Sequence, residues 1–216
     1  MFYIILALEA LAFLTGLLLF RKIKPVIYRL IVFVLLLTVV NEGLVVFGVY
    51  QKWHVPKYLF YNIFFLIQLI VFLLIFYFSY EKQRAKLVTG LIGIAGIVVS
   101  SLALQKHGIM GFNPYFVDSI AGSIILLGCS YLYFQQAKEK LYHPTKDPLF
   151  WFSSGLIIAN FFLLLFISAT FLKSFTAEAT STKIVFTLTS IGNLLYYSFI
   201  IISMLCSSRS PKLVGT

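Results

Sequence analysis

The stretch YLFYNIFFLIQLIVFLLIFYFSY, residues 58–80, decides the fold class of this chain. It contains no charged side chain, and it is longer than the roughly 20 residues that an α-helix needs to cross a bilayer core. Similar apolar blocks lie before and after it. Of the 216 residues, 61% are apolar and 11% are charged, whereas soluble domains have roughly 45–50% and 25%. The composition therefore predicts an integral membrane protein.

Apolar windows separated by short charged loops predict an all-α, polytopic bundle of seven transmembrane helices in a single domain, residues 1–216. The predicted spans are Phe2–Phe20, Pro25–Tyr50, Tyr58–Tyr80, Leu87–Gln105, Phe116–Gln136, Leu149–Leu172 and Ile184–Cys206. No basic side chain precedes the first apolar run, so we expect it to be a retained helix and not a cleaved signal peptide. The short loops leave no room between the spans for a soluble domain.

Basic residues are distributed unequally between the two sides of the predicted bundle. The richer side carries Arg21, Lys22, Lys24, Arg29, Lys82, Arg84, Lys86, Lys138, Lys140, Lys146, Arg209 and Lys212. The poorer side carries Lys52, Lys57, Lys106, Lys173 and Lys183. Because cytoplasmic loops are enriched in Lys and Arg, this asymmetry predicts an outside N-terminus and a cytoplasmic C-terminus.

Several function classes are excluded by the residues that the chain lacks. The net charge of +10 comes from loop residues that orient the helices, so we expect no nucleic-acid partner. Two cysteines cannot build a disulfide framework or a cysteine-based metal site. No His lies within a predicted span, which argues against a haem or a zinc centre in the bundle. Lys183 lies too near the edge of its span to hold a retinal-like Schiff base. We therefore expect no cofactor and no metal.

Polar residues inside the spans predict a ligand site. The acids Glu9 and Glu42 fall roughly 10 and 12 Å below the outer edge, and ionisable residues within a membrane are functional candidates by default. On the last span Thr187, Ser190, Asn193 and Tyr197 form a polar stripe at helical spacing. We predict an outward-facing cavity lined by spans one, two, three, five, six and seven. The candidate ligand-binding residues are Glu9, Asn41, Glu42, Asn62, Gln68, Asp118, Asn160, Asn193 and Tyr197. The alternative is that these groups only form hydrogen bonds between helices.

Small residues recur on the fourth predicted span. They are Gly90, Gly93, Gly96 and Ser100. This pattern lets helix backbones approach closely, either within the bundle or between two copies of the chain.

Short motifs in four of the spans resemble a bacterial type of membrane protein. They are the acid Glu42, the pair Tyr61-Asn62, the segment Asp147-Pro148-Leu149-Phe150-Trp151 with Gly155, and Asn193 with Tyr196-Tyr197. Together they resemble stand-alone seven-helix proteins of Bacteroidetes-like bacteria and, more distantly, the membrane regions of seven-helix bacterial sensors. The resemblance implies a bacterial inner-membrane location and a role in sensing, and it supplies no catalytic residues.

The leading functional hypothesis is a non-enzymatic, receptor-like bundle. It would bind a small ligand or a lipid from the outer side and act through a membrane protein partner or a second copy of itself. The alternatives are a small-molecule transporter or channel, a structural subunit of a membrane complex, and a lipid enzyme using Glu9 and Glu42 as acid and base.

Overall fold

The computed structural model describes residues 2–23, 28–48, 52, 57–107, 113–138, 144–173 and 179–209. Within these ranges the chain forms seven α-helices and one short 3-10 helix, Pro144–Lys146, and no strand. The α-helices are α1 (Phe2–Leu19), α2 (Arg29–Val46), α3 (Lys57–Ser79), α4 (Gln83–His107), α5 (Asn113–Ala137), α6 (Pro148–Lys173) and α7 (Ala179–Arg209). The prediction of an all-helical chain is confirmed.

Six helices are long and apolar enough to cross a membrane within the described residues. Their apolar segments are Arg29–Val46, Phe60–Ser79, Gln83–Leu102, Ile120–Ala137, Pro148–Ser168 and Thr187–Ser208. The segment Tyr3–Leu19 of α1 is also apolar but shorter. The prediction of a multi-pass helical membrane protein is therefore confirmed for six spans, and the seventh span, formed by α1, stays a prediction.

Several helix boundaries differ from the predicted spans. The helix α4 extends beyond the predicted span at both ends, and α7 begins before Ile184 and continues to Arg209. These extensions are polar or charged, and hydropathy identifies the part of a helix inside the membrane and not the turns beyond it. The predicted edges of the second span at residues 25–27 and 49–50 lie outside the described residues.

Two helix ends have clear local causes. After α2, Gly48 adopts a positive φ of 63°, a left-handed conformation that glycine reaches without steric cost and that commonly ends helices. At the start of α6, Oδ1 of Asp147 accepts a hydrogen bond from the Leu149 N–H at 2.9 Å. Pro148 occupies the first helical position, where its missing N–H costs nothing. Asp147 and Pro148 therefore fix where α6 begins.

The helices pack as a closed ring with one helix outside it. Going round the ring, α1 contacts α2, α2 contacts α3, α3 contacts α5, α5 contacts α6, α6 contacts α7, and α7 returns to α1. The remaining helix, α4, packs against α3 and α5. The ring places the inner faces of six helices around a common centre.

The glycines of α4 lie at its contacts with the bundle. A Cβ on Gly93 would lie 3.1 Å from Leu73 of α3, and one on Gly96 would meet Ile125 of α5. Of the two explanations for the small residues on this helix, packing within the bundle is therefore the one observed. The opposite face of α4 is exposed and apolar, as at Leu87 and Ile94, which suits contact with lipid.

The two ends of the bundle differ in packing. We call the end that carries Arg21, Lys22, Lys82, Lys138 and Lys146 the basic end. The half of the bundle nearest to it contains an apolar core in which Phe152 of α6 lies 5.2 Å from Phe72 and 5.7 Å from Phe76, both of α3 (ring centroids). All three side chains are fully buried. Such aromatic pairs add about 0.5–1.5 kcal/mol each beyond their buried area.

Candidate functional site

A cavity of about 350 Å³ lies at the centre of the helix ring, in the half of the bundle away from the basic end. Of the nine predicted site residues, six line this cavity: Glu9, Glu42, Gln68, Asn160, Asn193 and Tyr197. They come from α1, α2, α3, α6 and α7, while α5 contributes Gly122, Ser123 and Leu126. The helix α4 also reaches the lining through Ser100, which the sequence analysis did not anticipate.

Glu9 is the most deeply buried acid of the described residues, with 5% of its surface exposed. Its carboxyl group interacts with the Tyr197 hydroxyl on α7. Its Oε2 atom is buried and has no hydrogen-bond partner in the part of the chain that the structure describes. A buried polar atom without a partner costs about 1–3 kcal/mol, and more when it is charged. The protein therefore holds an unsatisfied acceptor at the wall of the cavity.

Glu42 of α2 is the second acid of the cavity. The Tyr61 hydroxyl of α3 donates a hydrogen bond to its Oε1 atom at 3.3 Å. The Glu9 and Glu42 carboxyl groups are close enough to interact electrostatically. The packing of α1 against α2 brings the two acids together.

A second cavity, of about 190 Å³, adjoins the first at the acid pair. Glu9, Glu42, Phe166, Thr189 and Asn193 line both cavities. The smaller cavity adds Ile5 and Leu6 of α1 and Ser190 of α7, residues that lie further from the basic end than Glu9 and Asn193. The two carboxyl groups therefore stand at the junction between a deeper and a shallower compartment.

Three predicted site residues lie elsewhere or cannot be placed. Asn41 and Asn62 are buried, at 7% and 2% exposure, but neither lines a described cavity. Each is the sequence neighbour of a lining residue, Glu42 or Tyr61, and one residue turns an α-helix by about 100°. Both amides have interaction partners within the protein. The side chain of Asp118 lies outside the described part of the chain.

The polar stripe predicted on the last span is only partly correct. Asn193 and Tyr197 line the larger cavity, and Ser190 lines the smaller one. Thr187 is exposed on the outer surface of α7, and the nearby hydroxyl in the lining belongs to Thr189. The rotation of α7 about its axis is set by its packing against α6, which the spacing of polar residues alone does not determine.

Aromatic side chains form a large part of the cavity wall, and they were not predicted as site residues from the sequence. On α3 the lining residues are Tyr61, Phe64, Phe65, Leu66, Gln68, Leu69 and Phe72. All except Leu66 recur every three or four residues and so lie on one face of the helix. These aromatic residues can be identified from the sequence by extending the helical periodicity in both directions from Gln68.

Hydrogen bonds between helices join the half of the bundle nearest the basic end. The Tyr80 hydroxyl donates to the Cys129 carbonyl, linking the end of α3 to α5. The Ser203 hydroxyl of α7 donates to the Pro148 carbonyl of α6 at 2.8 Å. Near the same end, burial raises the pKa of Asp147, although hydrogen bonds from Tyr133 and the Leu149 N–H oppose this shift. These contacts hold together helices that also line the cavity.

The cavity chemistry is that of a binding site for a polar group with an apolar body. Two carboxyl groups, three amide side chains and several hydroxyls face one space with aromatic walls. Within the described ranges, no group of three or more His, Cys, Asp or Glu residues is placed to hold a metal ion.

The fold defines the class of this chain as a multi-pass membrane protein built from apolar helices. No protein-family model matches it, no curated protein is significantly similar to it, and no solved structure matches it significantly. The function is therefore inferred from the geometry of the cavity.

Proposed function

We propose that this chain is a non-enzymatic, receptor-like membrane protein that binds a small ligand or a lipid in the larger cavity. The observation that carries the proposal is the Oε2 atom of Glu9, which is buried at the cavity wall without a hydrogen-bond partner among the described residues. A ligand that bonds to this atom removes the cost of leaving it unsatisfied. A cavity of about 350 Å³ falls within the usual size range of small-molecule sites, roughly 300–1,000 Å³.

The ligand enters, in this proposal, from the side away from the basic end. The smaller cavity extends in that direction from the acid pair, and the opposite half is filled by buried aromatic side chains such as Phe76 and Phe152. The excess of Lys and Arg assigns the basic end to the cytoplasm. The site then faces outward, α1 is the first of seven spans, and the protein belongs in a bacterial inner membrane.

Signal output in this proposal requires another protein. The connections between consecutive helices are short, so they offer little surface for an independent output domain. The partner is therefore a second membrane protein or a second copy of this chain. Apolar side chains exposed on α4, such as Leu91 and Ile94, provide contact area for lipid or for such a partner.

Native mass spectrometry of protein extracted gently from its own membranes tests the proposal. We expect a small molecule or a specific lipid bound to the wild type and lost in Glu42→Gln. The control is Glu81→Gln, which makes the same chemical change at an exposed position outside the cavity. A stoichiometric protein partner together with an empty cavity would instead identify the chain as a structural subunit, and the polar residues would serve only to hold the helices together.

A small-molecule carrier is the second candidate. It is favoured by the position of Glu9 and Glu42 at the junction of two cavities, since transporters bind substrates near the middle of the membrane between gated compartments. Uptake into liposomes that is lost in Glu9→Gln and Glu42→Gln, and kept in Glu81→Gln, would support a carrier. Ligand binding without uptake would support a receptor.

A further inference from the structure

The charge balance of the larger cavity restricts the chemistry of its ligand. Glu9 and Glu42 both line it, and no Lys, Arg or His is among its lining residues in the described part of the chain. An anionic ligand would meet two carboxyl groups with no compensating positive charge, in surroundings where charges interact strongly because water is scarce. A cationic ligand would supply that positive charge and give the Glu9 Oε2 atom a donor.

The apolar part of the wall favours an organic cation. Phe64, Phe65 and Phe72 of α3 face the same space as the carboxyl groups, together with Phe166 of α6. Aromatic rings pack against apolar groups, and their faces also attract cations. By contrast, Ca²⁺ takes six to eight oxygen ligands and Mg²⁺ keeps several water molecules, and neither uses aromatic rings. The wall and the acid pair together fit an ammonium group attached to an apolar body.

We propose that the ligand of the larger cavity is an organic ammonium compound whose charged nitrogen lies between Glu9 and Glu42 and whose apolar body packs against the aromatic face of α3. This inference deepens the proposed function and depends on it. The ammonium group has two possible sources, a free amine or the headgroup of an amine-bearing phospholipid. In both cases the N–H groups donate to Glu9 Oε2 and to the Glu42 carboxyl group.

Calorimetric titration of the full chain in nanodiscs with three matched compounds tests this inference. The compounds are 2-phenylethylamine, 2-phenylethanol and phenylacetate, which are a cation, a neutral molecule and an anion of nearly equal size. We expect the amine to bind at least tenfold more tightly than the alcohol and the acid not to bind, because charge-assisted hydrogen bonds are the stronger ones. Competition by phosphatidylethanolamine in the nanodisc identifies a lipid headgroup as the source, and absence of competition identifies a free amine.

Single substitutions assign the effect to the acid pair. Glu9→Gln and Glu42→Gln should each weaken amine binding at least tenfold, whereas Glu81→Gln should leave it unchanged. Melting temperature and a monodisperse elution profile serve as the folding controls, and Glu9→Asp replaces Glu9→Gln if the latter does not fold. Equal binding of amine and alcohol, or amine binding that survives both glutamine substitutions, would overturn the inference.

The cavity-filling variant Ala159→Phe separates failure of this inference from failure of the proposed function. Ala159 lines the larger cavity from α6. If the amine and the alcohol bind equally and Ala159→Phe abolishes both, the cavity is a ligand site but not a cation site. If none of the three compounds binds and protein from native membranes has an empty cavity, the proposed function fails as well.

Discussion

The Tyr133 hydroxyl of α5 donates a 2.6 Å hydrogen bond to Oδ2 of Asp147, the residue immediately before α6. The other carboxyl oxygen, Oδ1, accepts the Leu149 N–H at 2.9 Å. Asp147 thus satisfies one of the free N–H groups at the start of α6 and connects the N-terminus of this helix to α5. Because α6 lines the cavity from Leu156 to Phe166, this contact helps to position one wall of the candidate site.

Replacing Asp147 by Ala should lower the free energy of unfolding by about 1–3 kcal/mol. The substitution removes a helix N-cap, which is typically worth about 1 kcal/mol, and leaves the Tyr133 hydroxyl without its partner. Denaturation in detergent mixtures measures the effect, and Lys146→Ala at an exposed neighbouring position is the control. Equal stability of the two variants would show that the contact does not hold α6 in place.

The stability of the wild type relative to Asp147→Asn should fall as the pH rises. Burial raises the pKa of Asp147 above its ordinary value, so between the ordinary and the raised pKa the folded state binds more protons than the unfolded state. The free energy of unfolding then decreases with increasing pH over that interval. The favourable contribution is complete below the ordinary value of about 3.9 and is lost once the pH passes the raised pKa.

Melting temperatures of both proteins measured in parallel from pH 4 to pH 8 provide the test. The asparagine keeps a capping oxygen but does not titrate, so the difference between the two curves isolates Asp147. A difference that grows in favour of the wild type as the pH rises would mean that the hydrogen bonds to the carboxylate outweigh its burial.

The sequence was enough to predict the helical class and six of the residues that line the larger cavity. Long apolar runs predict helices because helices are the usual membrane-spanning element, and ionisable side chains within a span usually face the interior of the bundle. Asn41 lines neither described cavity, because its one-residue offset from Glu42 changes the direction of the side chain. Whether a residue lines the cavity depends on how its helix is rotated about its axis.

Packing between helices sets that rotation, and hydropathy does not encode it. Thr187 and Thr189 have the same side chain two positions apart, yet the former is exposed and the latter lines both cavities. The aromatic wall was missed for a related reason. In the sequence, nothing in Phe64 and Phe72 themselves distinguishes them from phenylalanines that face lipid. Gln68 lies at helical spacing from both and indicates which face of α3 points inward.

Gly192 should be intolerant of substitution because α7 packs closely on α6 there. A Cβ at this position would lie 2.6 Å from the Phe162 ring and 3.0 Å from the Phe162 Cβ atom, so the helices would have to separate. We expect Gly192→Ala to destabilise the protein by about 1–3 kcal/mol, as overpacking does elsewhere. Gly128→Ala is the matched control, since a Cβ there meets no atom within 4 Å. The unfolding free energies of both variants measure the destabilisation, and equal values would contradict close packing at Gly192.

Thiol labelling in intact cells should place Lys52 and Lys138 on opposite sides of the membrane. Both residues are exposed, and they belong to the poorer and the richer side of the charge distribution, respectively. In a background with Cys129→Ala and Cys206→Ser, we expect Lys52→Cys to react with an impermeant reagent. We expect Lys138→Cys to react only after permeabilisation. Labelling of both from the same side would overturn the predicted orientation.

The most direct test of the central claim is an experimental structure of the protein in nanodiscs formed from its own membranes. We expect non-protein density in the larger cavity, in contact with both carboxyl groups and within about 3.2 Å of the Glu9 Oε2 atom, the outer limit of a hydrogen bond. A collapsed cavity in which Glu9 Oε2 is bonded to a side chain of the protein would show that the cavity is not a ligand site.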